Sequence, residues 1–238
     1  MTEHRSAVVW HRDKSVRHPR LLDLFCGAGG AAMGYFRAGF TVIGVDVHPQ
    51  PNYPFDFWQA DALTFPWALM GEGRGWDFDV IHASPPCQQY SDLRHRTGKE
   101  YPDLVAATRE LLIDAGTPYV IENVESAPLT DPVILCGTMF PALRVLRHRG
   151  FESCVKLTAP AHGNHPLVFT HDKRKSHYGK LDQDKSFVQV TGGGNSTTKR
   201  AKQAMGVNWK MSKEEINEAI PPAYTEYIGI QLREQLGI

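Results

Sequence analysis

The chain has 238 residues, 42% of them apolar, and carries 26 Lys+Arg against 26 Asp+Glu. At roughly 100–200 residues per domain, that is one good-sized domain, long enough to bury a core without disulfides or a structural metal. A charged fraction of 22% and 10% aromatics exclude global disorder, and no run approaches about 18 consecutive apolar residues, which excludes a helical membrane span. The N-terminal stretch has no uninterrupted apolar core, so secretion is not expected. The four cysteines have no repeated spacing and read as reduced thiols of a cytoplasmic protein.

Charge is balanced in total but uneven along the chain. Residues 1–140 have 11 Lys+Arg and 17 Asp+Glu, a net of −6; residues 141–210 have 13 and 4, a net of +9; residues 211–238 have 2 and 5, a net of −3. A basic stretch in an otherwise neutral protein suits a polyanion-binding face, or simply a solvated surface.

In chain order, a polar tail (1–19) precedes Arg20–Phe25, which reads as a buried strand running into a glycine turn, Cys26–Gly30. Ala31–Ala38 reads as a helix stopped by Gly39. Thr41–Val45, Phe57–Ala60, Phe78–His82 and Pro118–Ile121 read as further strands. A helix starting near Pro102 carries Leu104, Thr108, Leu111 and Leu112 on one face. Strands alternating with helices predict an α/β fold with a doubly wound, Rossmann-like sheet, whose ligands lie at the carboxyl ends of the strands. Residues 20–149 make up this predicted catalytic and cofactor-binding domain. Residues 150–196 break the rhythm and read as a small basic inserted lobe with short strand signals at Leu167–Thr170 and Phe187–Val190. Residues 197–238 follow as C-terminal helices. Among them, Ser212-Lys-Glu-Glu215 is a capping box, and beyond Pro221-Pro222 the residues Tyr224, Tyr227, Ile228 and Leu232 line a last helix.

Gly27-Ala-Gly-Gly-Ala-Ala32 formally matches a dinucleotide-type glycine pattern, and Asp46 follows Gly27 by nineteen residues. Such a turn lets backbone N–H groups approach a ligand while the carboxylate holds ribose hydroxyls. Alone, it fits NAD, FAD or S-adenosylmethionine equally. Two further motifs break the tie. Ser84-Pro-Pro-Cys-Gln88 and Glu122-Asn-Val124 each follow a predicted strand and should reach the same crevice. A thiol and a carboxyl beside an adenosyl site suit methylation of carbon 5 of cytosine. That carbon becomes nucleophilic only when a thiolate adds to carbon 6 and an acid relieves the charge at ring nitrogen 3. A zinc deaminase needs a second cysteine three residues after the first and a His-x-Glu; position 90 is Tyr, and none of the eleven histidines has a Glu two residues on.

At this point the sequence resembles the cytosine-C5 DNA methyltransferases over most of its length. Leu22–Gly30 resembles the family's first motif, Ser84–Gln88 its catalytic motif, Glu122–Val124 the motif contacting cytosine, and Arg147-His-Arg149 its paired arginines. Ile216–Pro222 resembles its last motif. The resemblance implies Cys87 as nucleophile, with Glu122, Arg147 and Arg149 beside it. It also implies S-adenosylmethionine held by Phe25, Gly27, Ala28, Gly29, Gly30, Asp46, Val47, Asp61, Pro86, Ala219 and Ile220. Base flipping of double-stranded DNA is implied too, with Gln88, Arg94 and Arg96 of a catalytic loop and Lys173, Arg174, Lys175, Lys199 and Arg200 on the nucleic acid. The basic lobe at 150–196 inherits the role of target recognition. Departures are Asn217-Glu218, where the family usually has Gly-Asn, and Lys199-Arg200 in place of an Arg-Glu pair. The same chemistry on structured RNA such as tRNA is the alternative; an inactive nucleic-acid-binding relative and an NAD-dependent oxidoreductase compete from other classes.

Cys154, His162, His165, His171 and His177 could form half of a zinc site. Their spacing is irregular and no second Cys pair exists, so no metal is expected. Neither a membrane nor an obligate protein partner is implied, and a cytoplasmic, nucleoid-associated monomer is expected.

Overall fold

The computed structural model describes residues 18–65, 78–90, 103–165, 187–191 and 196–238. Its centre is a seven-stranded sheet in the order β3-β2-β1-β4-β5-β7-β6. The parallel part comprises β1 (Arg20–Leu24), β2 (Thr41–Asp46), β3 (Asp56–Gln59), β4 (Val80–Ala83) and β5 (Tyr119–Asn123). An antiparallel pair, β6 (Val133–Leu135) and β7 (Arg149–Ser153), completes it, with β7 against β5. The five helices are α1 (Gly30–Arg37), α2 (Leu104–Ala115), α3 (Thr198–Met205), α4 (Lys213–Glu218) and α5 (Pro222–Leu236). This is the α/β, doubly wound sheet expected from the alternation of elements. Among the described residues, no helix is long and apolar enough to cross a membrane.

Strand periodicity builds two cores. Leu22, Leu24, Ile43, Val45, Ile81, Ala83 and Ile121 point to one face, where Leu112 of α2 joins them. Leu21, Val42, Val80 and Val120 point to the other, beneath α1 and α5. Successive side chains of a strand alternate between faces, so each buried strand needs apolar residues at almost every position, as these sequences supply. Four polar residues of the parallel strands interrupt that pattern: Asp23, His82, Glu122 and Asn123 are all buried. Asp23 and His82 are register partners on neighbouring strands.

Helix α1 lies close against α5. A Cβ on Gly34 would stand 2.0 Å from Thr225 Oγ1 and 2.1 Å from the Pro222 carbonyl oxygen. Thr225 Oγ1 also donates to the Ala31 carbonyl at 2.8 Å. The C-terminal helix is thereby seated on the helix that follows the glycine turn. The Ser212 capping box forms as the sequence predicts: Ser212 Oγ accepts from Glu215 N–H and the Glu215 carboxylate accepts from Ser212 N–H.

Two elements depart from the sequence reading. Residues 150–153, placed with the lobe on composition, are part of β7 in the central sheet. Glu152, an unlikely-looking strand residue, is buried there because Arg109 of α2 grips both its oxygens at 2.7 Å. At the other end of the lobe, Val188 bridges to Val145, and Val188 and Val190 are buried in the larger core. The short strand signal at Leu167–Thr170 lies outside the described residues, as does the tail before His18.

Replacing Gly34 by Ala gains about 1 kcal/mol of helix propensity but forces a methyl group against backbone. Overpacking of this kind costs about 1–3 kcal/mol, and a backbone oxygen cannot swing aside. We expect Gly34→Ala to lower the urea midpoint of unfolding with little change in m-value; an unchanged or raised midpoint would contradict this account of the α1–α5 contact.

Candidate active site

Parallel register brings the sequence motifs to one edge. Leu24 is paired with Val45 and with Ala83, and Ala83 with Ile121. Cys26–Gly30, Asp46, Ser84–Cys87 and Glu122 therefore emerge side by side at the carboxyl ends of β1, β2, β4 and β5. A crevice beyond such strand ends is where open α/β sheets bind ligands.

The turn after β1 winds through three left-handed residues, Phe25 (φ 56°), Gly27 (φ 48°) and Gly29 (φ 84°). Positive φ strains a phenylalanine, and the neighbours hold it: Cys26 N–H donates to the Val45 carbonyl and Gly29 N–H to the Cys26 carbonyl, both at 3.1 Å. Asp46 grips the turn from β2, accepting from Gly27 N–H at 3.0 Å and from His48 N–H at 2.9 Å. Open space surrounds the position a Cβ on Gly27 would take, with no atom inside 4 Å. Val47 is 55% exposed, and Asp61 is exposed beyond β3. Ala219 and Ile220 close one side, for a Cβ on Gly30 would come within 2.5 Å of the Ile220 carbonyl oxygen. An open glycine turn, an apolar side chain and carboxylates at the ends of β2 and β3 fit a ligand made of an amino acid joined to a nucleoside.

Glu122, 5% exposed, is the centre of the polar cluster in this crevice. Burial pushes its carboxyl above the ordinary range, against the opposing pull of Arg149, of a hydrogen bond from Ser84 and of Arg147. Arg149 Nε lies 2.9 Å from Glu122 Oε1. Behind Ser84 runs a buried chain of polar groups: Ser84 Oγ is 2.8 Å from His82 Nε2, and Tyr35 Oη is 3.0 Å from His82 Nδ1. Burial drops the His82 pKa to about 3, so the ring is neutral. With Tyr35 donating to Nδ1, the single imidazole proton sits on Nε2 and is given to Ser84, whose own proton is then directed at Glu122.

Cys87 follows the Pro85-Pro86 turn and precedes a 3-10 turn, Gln88–Tyr90. Burial raises its thiol pKa above the ordinary value, Arg149 pulls it back, Glu122 raises it and Arg147 lowers it. The thiol, the carboxyl and both guanidinium groups thus share one electrostatic environment. Asn123 fixes the two motifs together, donating from Nδ2 to the Pro85 carbonyl at 2.8 Å.

Arg147 is placed differently from Arg149. Fully enclosed, it donates to the carbonyls of Val190 at 2.6 Å, Asn217 at 2.8 Å and Glu218 at 3.1 Å. Burial and the neighbouring Arg149 lower its pKa to about 9. Its guanidinium fastens the C-terminal segment to the catalytic sheet and lies near the thiol without being directed into solvent. Glu218, in the place of the family's usual Asn, approaches Asp46 closely enough that burial and that carboxylate raise its pKa.

Some functional side chains have no sequence signal of their own. Trp209 Nε1 donates to the Ala28 carbonyl at 2.9 Å and Asn52 Nδ2 to Glu215 at 2.8 Å, each tying the glycine turn or its neighbour to the C-terminal helices. His82 and Asn123 adjoin motifs and could have been found by asking what their polar groups bind. Lys199 is exposed on α3 with Arg200 beside it, and Gln88 is exposed next to Cys87. Arg94, Arg96, Lys173, Arg174 and Lys175 lie outside the described residues.

No family model matches the chain. A Type II methyltransferase of Thalassovita gelatinovora, M.AgeI, is 28% identical over 118 residues, which take in 44% of this chain and 28% of that protein. The chain therefore matches less than a third of that relative's length. Among solved structures, a putative DNA modification methyltransferase encoded within an E. coli prophage superposes with a TM-score of 0.61 at 15% identity, over 92% of this chain and 100% of that one. A mutant DNMT2 of Spodoptera frugiperda gives 0.58 at 12% identity, over 90% and 99%. The Entamoeba histolytica methyltransferase EhMeth gives 0.60 at 11%, over 93% and 99%. At these identities the likeness is one of architecture. The chain has a methyltransferase fold, in agreement with the family resemblance read from its motifs.

Two measurements probe the site's electrostatics. Alkylation of Cys87 by iodoacetamide requires the thiolate, so its rate should climb only above the pH at which free cysteine reacts. In Arg149→Gln, losing the largest opposing charge should move that profile to still higher pH; a shift downward would contradict the arrangement. His82 provides the second. Its folded pKa lies below the unfolded value of about 6.5, so the unfolded chain binds the extra proton and stability falls as pH drops below about 6.5. The slope approaches about 1.4 kcal/mol per pH unit and levels off near pH 3. The stability difference between wild type and His82→Gln should shrink along that window in urea titrations, and a pH-independent difference would place His82 in contact with water.

Proposed function

We propose that this chain transfers a methyl group from S-adenosylmethionine to carbon 5 of cytosine in double-stranded DNA, through a transient adduct between Cys87 and a base rotated out of the helix. The observation that carries this reading is the shared environment of the Cys87 thiol, the buried Glu122 carboxyl and the Arg149 guanidinium, beside an open glycine turn. A prophage DNA modification methyltransferase and a Type II methyltransferase among the similar proteins support DNA as the substrate.

The residues divide the work. Gly27, Gly29 and Gly30 let the backbone approach the methyl donor; Asp46, Val47 and Asp61 line its nucleoside end, and Phe25, Pro86, Ala219 and Ile220 close around it. When bound, that donor supplies an electrophilic methyl group on a sulfonium. Cys87 loses its proton and adds to carbon 6 of cytosine, forming an S–C bond and pushing electron density to carbon 5. Glu122, whose carboxyl burial pushes above its ordinary range, hands a proton toward ring nitrogen 3 and so absorbs the charge that develops there. Carbon 5 takes the methyl group, the donor's sulfonium sulfur being left as a neutral thioether; the carbon-5 hydrogen then departs as a proton to solvent, the S–C6 bond breaks to release the Cys87 thiolate, and ring nitrogen 3 returns its proton to Glu122, restoring the aromatic ring. Arg149 stabilises the thiolate and steadies the carboxyl. A base still stacked in the duplex presents no face to the thiol, so it must be extruded at a cost of about a few kcal/mol. Phosphate contacts by the basic stretch, with Lys199 and Arg200 on α3 and Arg94, Arg96, Lys173, Arg174 and Lys175 in the surrounding sequence, offset that cost.

The test is bisulfite sequencing of mixed-sequence DNA after incubation with the protein and S-adenosylmethionine. Protected cytosines should accumulate in a fixed sequence context and vanish with Cys87→Ala, which should still bind the cofactor. Glu122→Gln should slow methylation on the order of 10²-fold or more. Methylation of tRNA with none of DNA would overturn the choice of substrate, and full activity in Cys87→Ala would overturn the mechanism.

A further inference from the structure

Away from the crevice, the fold collects four metal-ligand side chains from separated parts of the sequence. Cys136 follows β6 and is fully buried. His148 lies between the two active-site arginines, at the entrance to β7, and His162 and His165 are exposed on the segment leading into the basic stretch. One ligand atom from each of the four falls within 4.8 Å of all the others. His162 Nε2 is 3.3 Å from His148 Nε2 and 3.1 Å from His165 Nε2, while His165 Nε2 is 3.7 Å from Cys136 Sγ. A tetrahedral zinc ion bound to nitrogen at about 2.0–2.1 Å and to sulfur at about 2.3 Å would impose N···N edges of about 3.3 Å and N···S edges of about 3.6 Å. Three of the six separations, 3.3, 3.1 and 3.7 Å, are close to those edges, and the other three lie within 4.8 Å.

Hydrogen bonding explains the convergence less well. A neutral imidazole has one N–H and one lone pair, so three Nε2 atoms turned toward a single point leave lone pairs facing one another. Protonating the rings would satisfy the nitrogens only by crowding like charges. A cation uses every lone pair at once.

The surroundings also suit a metal. Cys136 Sγ accepts from Thr138 Oγ1 at 3.3 Å and from the Met139 backbone N–H, which hold the sulfur in place. His148 turns its other nitrogen, Nδ1, toward Glu125 Oε2 at 3.8 Å. At that distance the carboxylate is an ion-pair neighbour on the far side of the ring, beyond hydrogen-bond reach. The turn after Cys136 sits directly on the strand-like segment leading to His148: a Cβ on Gly137 would stand 1.9 Å from the Val145 carbonyl oxygen. That close approach is what brings Cys136 and His148 to the same point. Cys154, the cysteine that sequence spacing associates with the histidines, instead accepts from Tyr119 N–H at 3.2 Å. His171 and His177 lie outside the described residues.

We propose that Cys136, His148, His162 and His165 bind one zinc ion as a structural centre. Four protein ligands complete the tetrahedron and leave no open position for catalysis. The ion fastens residues 162–165, where the chain enters its most basic stretch, to the peptide unit between Arg147 and Arg149. Residues 162–165 and the strand that carries Arg149 are thereby held together.

The test is the zinc content of the full chain, purified from zinc-supplemented medium, desalted and measured by mass spectrometry of the metal. About one zinc ion per chain is expected, and a Cys154→Ser control should keep it. The double variant His162→Ala/His165→Ala changes only exposed residues, so it should fold with an unchanged circular dichroism spectrum while losing at least ten-fold of its zinc. Cobalt(II) exchanged into the wild type should give a thiolate-to-cobalt charge-transfer band that is missing in Cys136→Ser. A zinc-free wild type, or a double variant that retains the metal undiminished, would overturn the proposal.

Discussion

A carboxyl group almost cut off from solvent stands at the end of β5, and the crevice is organised around keeping it there. An uncompensated buried charge costs several kcal/mol, so Glu122 is held with its proton affinity raised, between Arg149 on one side and Ser84 on the other. Each of those partners depends on something further away. Ser84 is turned by His82, and His82 by Tyr35. Arg149 is carried on β7, which pairs antiparallel to β5 and places Phe151 opposite Glu122. The groups around one side chain thus come from α1, β4, the turn beyond it, β5 and β7. A change of register between any two of these strands would move a donor away from the carboxyl and leave it either ionised without a partner or open to water.

The same economy explains the two arginines. They are two residues apart, yet one faces the reacting groups while the other is spent on three carbonyl oxygens. A guanidinium presents its donors as a rigid planar fork, which suits Arg147 for joining Val190 to the end of α4. Tyr224 completes that junction by donating to the Arg147 carbonyl at 2.6 Å. Reading both arginines as equivalents beside Cys87, as the family resemblance implies, misses that division.

Much of the fold was legible because strands buried on both faces must be apolar almost throughout. The segments around Leu22, Val42, Ile81 and Val120 satisfy that rule, and the turns after them contain the chemistry. What failed to show was β7, whose Arg-Gly-Phe-Glu-Ser sequence has the composition of a surface loop; Arg109 and the Thr130 backbone N–H, both distant in sequence, make its glutamate tolerable inside. The helix Thr198–Met205 falls within the segment read as C-terminal helices, although its Lys and Arg residues resemble the basic stretch before it and its buried residues are few: Ala201, Ala204 and Met205. At the site, motifs located Cys87, Glu122 and Asp46, whereas the groups that orient them are separated from them by whole elements. Tyr35 is 47 residues from the histidine it steadies, and Trp209 is 181 from the carbonyl it holds. Pattern reading along a chain has no access to such pairings.

The fastenings between the glycine turn and the far end of the chain have a temporal meaning. Trp209 on Ala28, Glu215 on Asn52, Ile220 against Gly30 and Thr225 on Ala31 all join an early segment to a late one. During synthesis, the parallel strands can assemble first, but one wall of the crevice does not exist until the last helices have left the ribosome. The nascent polypeptide therefore passes through a stage with Cys87 and Glu122 already made and the glycine turn still open on one side, until the helices beyond Trp209 have docked.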